Sequence, residues 1–269
     1  MPLWAYYTIV FAFIFLFGIC IGSFLNVCIY RLPKDESLIK RNSHCMTCGA
    51  EIKRYDLIPV FSWLLLRGKC RSCKAPISPR YCFVEALNGI LYVLVFAYYG
   101  FMYNPFRAMI VCLLFSALIV VFFMDWDTQL ISNYMVIFIA ILSILDYLCA
   151  YFEIDKMHIN SPDLKNRIIA VFIVSIPFLI IELASKERAM GRGDVYLMAA
   201  AGAFLGIKGV LVALFIGLVS GSIVGLILKY KTGLSKFAFG PYLAVGIATA
   251  ALFSEQIGNC YLRFAGFIE

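Results

Sequence analysis

Apolar residues fall in long runs along this chain, and polar residues gather between them. Residues 1–30 carry no charge at all. Further apolar runs occupy roughly 82–100, 106–124, 133–152, 166–184, 195–207, 209–228 and 239–260. A helix needs about 20 apolar residues to cross a bilayer. The pattern therefore predicts an all-α polytopic membrane protein with about eight transmembrane helices. The thinnest division is at Gly206-Ile207-Lys208, and Gly202 and Gly206 are placed to tighten packing against a neighbouring helix. The one long polar stretch, 31–81, predicts a small insertion too short to bury much of a core of its own. No internal repeat or low-complexity tract is evident.

Composition agrees with the runs. Hydrophobic residues make up 63% of the chain and charged residues 14%, against roughly 45–50% and 25% in soluble domains. The first run lacks the basic start and small-residue cleavage site of a signal peptide, and its basic residues follow it, so it reads as a retained helix. Segment 31–81 holds eleven of the 23 lysines and arginines. Placing it in the cytoplasm also places 185–194 and 229–238 there. Seventeen basic residues are then inside and six outside, as the positive-inside rule favours. The net charge of +7 is then a topology signal, with attraction to anionic headgroups as its only further implication. Nothing points to nucleic acid.

Ten cysteines divide into two groups. Cys20, Cys28, Cys82, Cys112, Cys149 and Cys260 lie in or beside apolar runs and read as small buried hydrophobes. The other four form two pairs, Cys45-Met46-Thr47-Cys48 and Cys70-Arg71-Ser72-Cys73. Two such pairs in a short polar segment can supply four thiolates to a tetrahedral structural zinc. A redox pair and a disulfide staple are the rivals, and a reducing cytoplasm disfavours the staple. His44 adjoins Cys45 but is not needed to close the site, and reads as a surface residue.

Acidic residues near spans are costly and point to function. Asp125 and Asp127 end one run, and Gly191-Arg192-Gly193-Asp194 opens another. The charge bias puts both groups at the same face of the membrane. Two close carboxylates share one proton, so one can accept a proton from water while the other donates. That is the aspartic-protease arrangement, here with Asp125 and Asp194 as its members and Asp127 as a solvated neighbour. His44 and His158 fall on opposite sides of the membrane, which argues against histidine catalysis. Asp146 and Glu182 read as paired or snorkelling interface residues, and Glu85 as a minor candidate on the catalytic side.

These residues resemble the type IV prepilin peptidases, the leader peptidase/N-methyltransferases. The resemblance runs from Gly22-Ser23-Phe24-Leu25-Asn26 through both cysteine pairs, Ser62-Trp63-Leu64 and Ile77-Ser78-Pro79-Arg80-Tyr81. It continues through Asp125, Gly191-Arg192-Gly193-Asp194 and Phe239-Gly240-Pro241. It implies catalytic Asp125 and Asp194, and a zinc module on Cys45, Cys48, Cys70 and Cys73. It also implies prepilin or pseudopilin substrates that lose a short basic leader, S-adenosylmethionine as methyl donor, and a bacterial inner-membrane location. Ser132 stands where the family usually has proline, Tyr196 where it has lysine, and Leu57 where Asn-Ile-Pro is common. The resulting division is a first transmembrane helix over 1–30, a cytoplasmic four-cysteine module over 31–81 and a transmembrane catalytic domain over 82–269. A presenilin-like intramembrane protease and a transporter are the alternative classes.

Overall fold

The computed structural model describes residues 2–40, 42–154, 161–186, 190–232, 238–264 and 266. His158 lies outside the described residues. Among those described, the chain is helical apart from two isolated backbone bridges. It divides into two compact units, Met1–Ala97 and Tyr98–Glu269.

The first unit pairs helix α1 (Leu3–Arg31) with α3 (Pro79–Tyr99). Gly18 and Gly22 on α1 permit the approach: a Cβ at either would sit 2.7 Å from the backbone of Gly89 or Glu85. Small residues four apart are a common way for helices to close up in lipid, where hydrophobic attraction between them is absent. The fully buried Asn88 amide ties the pair by donating to the Gly18 carbonyl at 2.7 Å.

Between these helices lies the polar module with the five-residue helix α2 (Phe61–Leu65). Here the structure reveals a repeat that the residue pattern conceals. Cys45 N–H donates to the Ala50 carbonyl, and Ile52 N–H to Ser43. Twenty-five positions on, Cys70 N–H donates to Ala75, and Ile77 N–H to Gly68. The bridges His44–Glu51 and Lys69–Pro76 occupy matching places, and both loops turn through a left-handed residue, Gly49 or Lys74. The module is thus two copies of one knuckle. Arg71 clamps Asp56 with two hydrogen bonds of 2.8 and 2.6 Å, which holds the Asp56 carboxyl below the usual range.

The second unit is built round α4 (Pro105–Thr128). Nearly every side chain from Ala108 to Asp125 is buried, as expected of a helix apolar on all sides. Around it lie α5 (Asn133–Tyr151), α6 (Leu164–Ser185), α7 (Arg192–Thr232) and α8 (Gly240–Phe264). Ser132 caps α5 by accepting from Tyr134 N–H, a role serine fills well. Large apolar side chains such as Ile141, Phe172, Ile176 and Phe215 face outward, as lipid contact requires.

The eight apolar runs become seven long helices among the described residues. Six of them, α1 and α3 to α7, are long and apolar enough to cross a membrane, so the chain is a multi-pass membrane protein. Helix α8 falls outside that set because Thr249, Ser254, Glu255 and Gln256 dilute its apolar run. Runs 195–207 and 209–228 are both in α7, which is interrupted at Gly206 (φ 72°, ψ −178°). Its neighbours show that α7 turns back there. Gly193 meets Ile131, Gly206 meets Pro162 and Asn166, Lys208 meets Gly258, and Gly221 meets Phe239 and Tyr242. Only glycine adopts that backbone conformation readily. Both glycines of this segment are close-packed, as expected: a Cβ at Gly202 would sit 2.5 Å from the Ala170 carbonyl oxygen, and one at Gly206 2.8 Å from Pro162, with Gly206 also supplying the turn.

The reversal frees helix-terminal backbone groups that need partners. Asn166 and Arg167 on α6 supply them. The Asn166 carboxamide oxygen accepts from Ile207 N–H at 2.7 Å. Arg167 donates to the Ala203 and Phe204 carbonyls, and also to Ser143 and Pro162. Asp146 pairs with Arg167, and Arg107 lies 3.7 Å from it.

Candidate active site

Asp125 and Asp194 come from different parts of the second unit and meet at one end of it. Asp125 lies in the last turn of α4, and Asp194 in the first turn of α7. Both are buried, at 5% and 8% exposure, whereas Asp127 is exposed. The side chain of Ile131 fills the space beside them: it presses on Gly193, one residue before Asp194, and on Gly240. Gly240 in turn donates its N–H to Asp125 Oδ2 at 2.9 Å. Asp194 lies close enough to feel the charge of Asp125.

Local sequence explains the placement. Gly240 opens α8, so its N–H is one of the donors a helix start leaves unpaired, and the Asp125 carboxylate satisfies it. Asp194 sits in the first turn of α7, where its N–H bonds the Gly191 carbonyl at 3.2 Å. Two helix N-termini therefore point at the pair and favour its negative charge. Arg192, between the two glycines, is held by the buried Glu182 at 3.0 Å, which fixes the start of α7 to the end of α6. The sequence singles out both aspartates and carries Phe239-Gly240-Pro241 within the resemblance, but it gives no role to the Gly240 N–H and does not mark Ile131. A backbone donor leaves no mark in the side-chain pattern beyond the Gly-Pro that opens α8.

Asp146 and Glu182, the other acids in spans, are engaged by arginines, not by each other. Glu85 belongs to the first unit, where its Oε2 accepts from Val60 N–H at 2.7 Å.

The four knuckle cysteines converge. Their sulfurs all lie within 4.8 Å of one another, and no histidine joins the group among the described residues. Cys45 and Cys73 Sγ are 3.8 Å apart. A tetrahedron with Zn–S bonds of about 2.3 Å has edges of about 3.8 Å. Electrostatics fit as well. N–H groups of Cys48 and Thr47 point at the Cys45 sulfur and lower its thiol to about 6. The Ala75 amide favours the Cys73 thiolate, but desolvation and the three neighbouring sulfurs outweigh it and push that thiol up to about 11. Four crowded thiols cannot all ionise without a cation among them, and zinc is the ion that suits the set. Of the remaining cysteines, Cys28 and Cys112 are buried, while Cys20 and Cys260 are exposed on helix surfaces instead of packed inside.

Comparison with known proteins gives the family of the chain. Residues 16–99 match the bacterial peptidase A24 N-terminal domain, and residues 112–226 match the type IV leader peptidase family. A prepilin leader peptidase/N-methyltransferase of Pseudomonas aeruginosa is 30% identical over 279 residues, covering 94% of this chain and 93% of that protein. The chain belongs to the type IV leader peptidase family. A member from Neisseria gonorrhoeae is 33% identical, with 85% of each chain covered. Another from Myxococcus xanthus is 32% identical over 225 residues, which span 82% of this chain but only 64% of that longer protein. No solved structure matches. Within the family frame, the first matched segment holds all four knuckle cysteines and Glu85, and the second holds Asp125 and Asp194.

Proposed function

We propose that this chain is an aspartic endopeptidase that removes the short basic leader of type IV prepilins or pseudopilins at the cytoplasmic face of a bacterial inner membrane. Asp125 and Asp194 form the catalytic pair. One carboxylate takes a proton from water as it attacks the scissile carbonyl, and the other, protonated, donates to the carbonyl oxygen. No covalent enzyme intermediate forms. The observation that carries this reading is the burial of two carboxylates beside Ile131 at the starts of α7 and α8. The excess of lysine and arginine on the loops at that end supports the cytoplasmic assignment. The cysteine module over 31–81 holds a structural zinc, and the catalytic apparatus lies within 82–269.

The relatives' names couple peptidase to methyltransferase, and the same second step is proposed here. The newly exposed N-terminal amine takes a methyl group, which S-adenosylmethionine supplies when bound. The described residues form no sheet, so its site is not a strand-turn-helix nucleotide cradle. A transporter reading is weakened because Asp146 and Glu182 are held by arginines instead of lining a path.

The test is intact-mass analysis of a co-expressed prepilin. The wild-type chain is expected to yield the leaderless, methylated product. Asp125→Asn and Asp194→Asn should leave the precursor intact while the enzyme still inserts, and Asp127→Asn should process it. Full cleavage by Asp194→Asn would sink the assignment. A cut within the apolar helix of the substrate, not at its edge, would favour the presenilin-like class.

A further inference from the structure

The short helix α2 turns its apolar face the wrong way for a soluble module. Phe61, Leu64 and Leu65 lie at i, i+3 and i+4, which is one face of a helix. That face is exposed, with Leu65 83% accessible, while the small polar Ser62 points inward and bonds the Tyr55 carbonyl. Ile58 and Leu57, just before α2, are exposed too. Basic residues flank the segment, Lys53 and Arg54 before it and Arg67 and Lys69 after it.

The depth of this segment follows from its anchor. Helix α3 has 21 residues, about 31 Å at 1.5 Å per residue, which matches the hydrocarbon core of a bilayer at roughly 30 Å. Glu85 is six residues inside its start, about 9 Å below the rim before the side chain reaches back toward the helix N-terminus. Val60 N–H is bonded to that carboxylate, so the chain entering α2 is drawn down to the level of the membrane boundary. The backbone there also satisfies itself internally. Phe61 N–H bonds the Pro59 carbonyl at 2.6 Å across Val60, which takes φ 63°, ψ −54°. That is a γ-turn with positive φ, rare and strained for a β-branched residue. Ser62 and Leu64 N–H groups bond Ile58 and Val60 carbonyls. Where water is scarce, each backbone donor must find a partner within the protein.

We infer that residues 55–67 form an interfacial membrane anchor: Phe61, Leu64 and Leu65 enter the acyl boundary, and the flanking lysines and arginines meet anionic phospholipid headgroups. An apolar face flanked by cations is the pattern of helices that lie in the interface plane. The zinc knuckles are thereby held at the membrane surface, not suspended in the cytosol.

The test uses the full chain with a photoreactive diazirine amino acid at Leu65, reconstituted in phosphatidylethanolamine/phosphatidylglycerol vesicles. Ile90, exposed on α3, serves as the lipid-facing reference. Retained zinc and leader cleavage verify that each labelled protein is folded. Mass spectrometry is expected to find phospholipid adducts as the main product at Leu65, as at Ile90, with phosphatidylglycerol enriched over its share of the vesicle. Water-quenched product, or adducts to peptides of this chain, a second copy or a prepilin, would overturn the inference, as would lipid adducts without anionic enrichment.

Discussion

The Gly240–Asp125 contact makes the sharpest prediction. A Cβ added at Gly240 would sit 2.7 Å from Asp125 Oδ2, 3.0 Å from its Cγ and 3.2 Å from Ile131 Cδ1. Ordinary contact begins at about 3.4 Å, so the carboxylate must retreat by roughly 0.7 Å in a site with little room. Retreat weakens its 2.9 Å bond from Gly240 N–H. A hydrogen bond to a charged acceptor is worth about 1.5–3 kcal/mol, or roughly 10- to 150-fold in rate. Displacement of a catalytic group by a fraction of an ångström acts in the same direction. Gly240→Ala should therefore lower kcat for leader removal on the order of 10²-fold, with KM nearly unchanged. Overpacking at this buried site also costs about 1–3 kcal/mol of stability, so the thermal midpoint is read beside the rate to separate the two effects. Gly258→Ala is the control: the three atoms nearest its Cβ would be methylenes of the flexible Lys208 side chain, which can move aside. The assay is single-turnover cleavage of a purified prepilin by purified enzyme, with thermal unfolding in the same detergent. A Gly240→Ala enzyme that cleaves at the wild-type rate would refute the placement of Asp125 at the reacting centre.

Other expectations follow from the same structure. Zinc should copurify in a one-to-one ratio by elemental analysis and fall to background in Cys45→Ser/Cys70→Ser. Thiolate, not thiol, binds zinc, so protons compete with the metal for the four sulfurs. A zinc-indicator titration should therefore show release on acidification and retention at neutral pH. Arg167→Met removes the main partner of buried Asp146 and uncaps the Ala203 and Phe204 carbonyls. Loss of one member of a buried pair costs about 3–5 kcal/mol, readable as a large drop in thermal midpoint, and a change under about 1 kcal/mol would contradict the clamp. Arg192→Met should slow cleavage through misplacement of the α7 start, while Arg192→Lys, which keeps the charge near Glu182, should recover part of the rate.

Helices were the legible part of this fold because an apolar run of span length has few alternatives in lipid. The aspartates were legible for the complementary reason: charge at the end of such a run is expensive, so its presence stands out. The division at Gly206 was visible as a thin spot, but its meaning was not. A glycine that packs and a glycine that reverses the chain look alike until the backbone angles are known. The knuckle repeat hid because segments 44–52 and 69–77 share only Cys, Cys, Ala and Ile; carbonyl and N–H geometry carries the likeness. The partners of Asp146 and Glu182 were hidden too, since which arginine meets which acid depends on helix register across the bundle.

The reversal at Gly206 bears on what holds Asp194 in place. The arm before it, 192–205, is about 14 residues or roughly 21 Å long, short of the roughly 30 Å that a lone helix must span. On length alone it is a poor span by itself. The arm after it, 207–232, has the length, and Asn166 and Arg167 on α6 receive the turn. Residues 192–232 therefore behave as one hairpin, the second arm supporting the first, and the place of Asp194 depends on both arms. Asp194 thus depends for its position on residues as far along the chain as Thr232, and the proposed catalytic pair is complete only when both arms are packed.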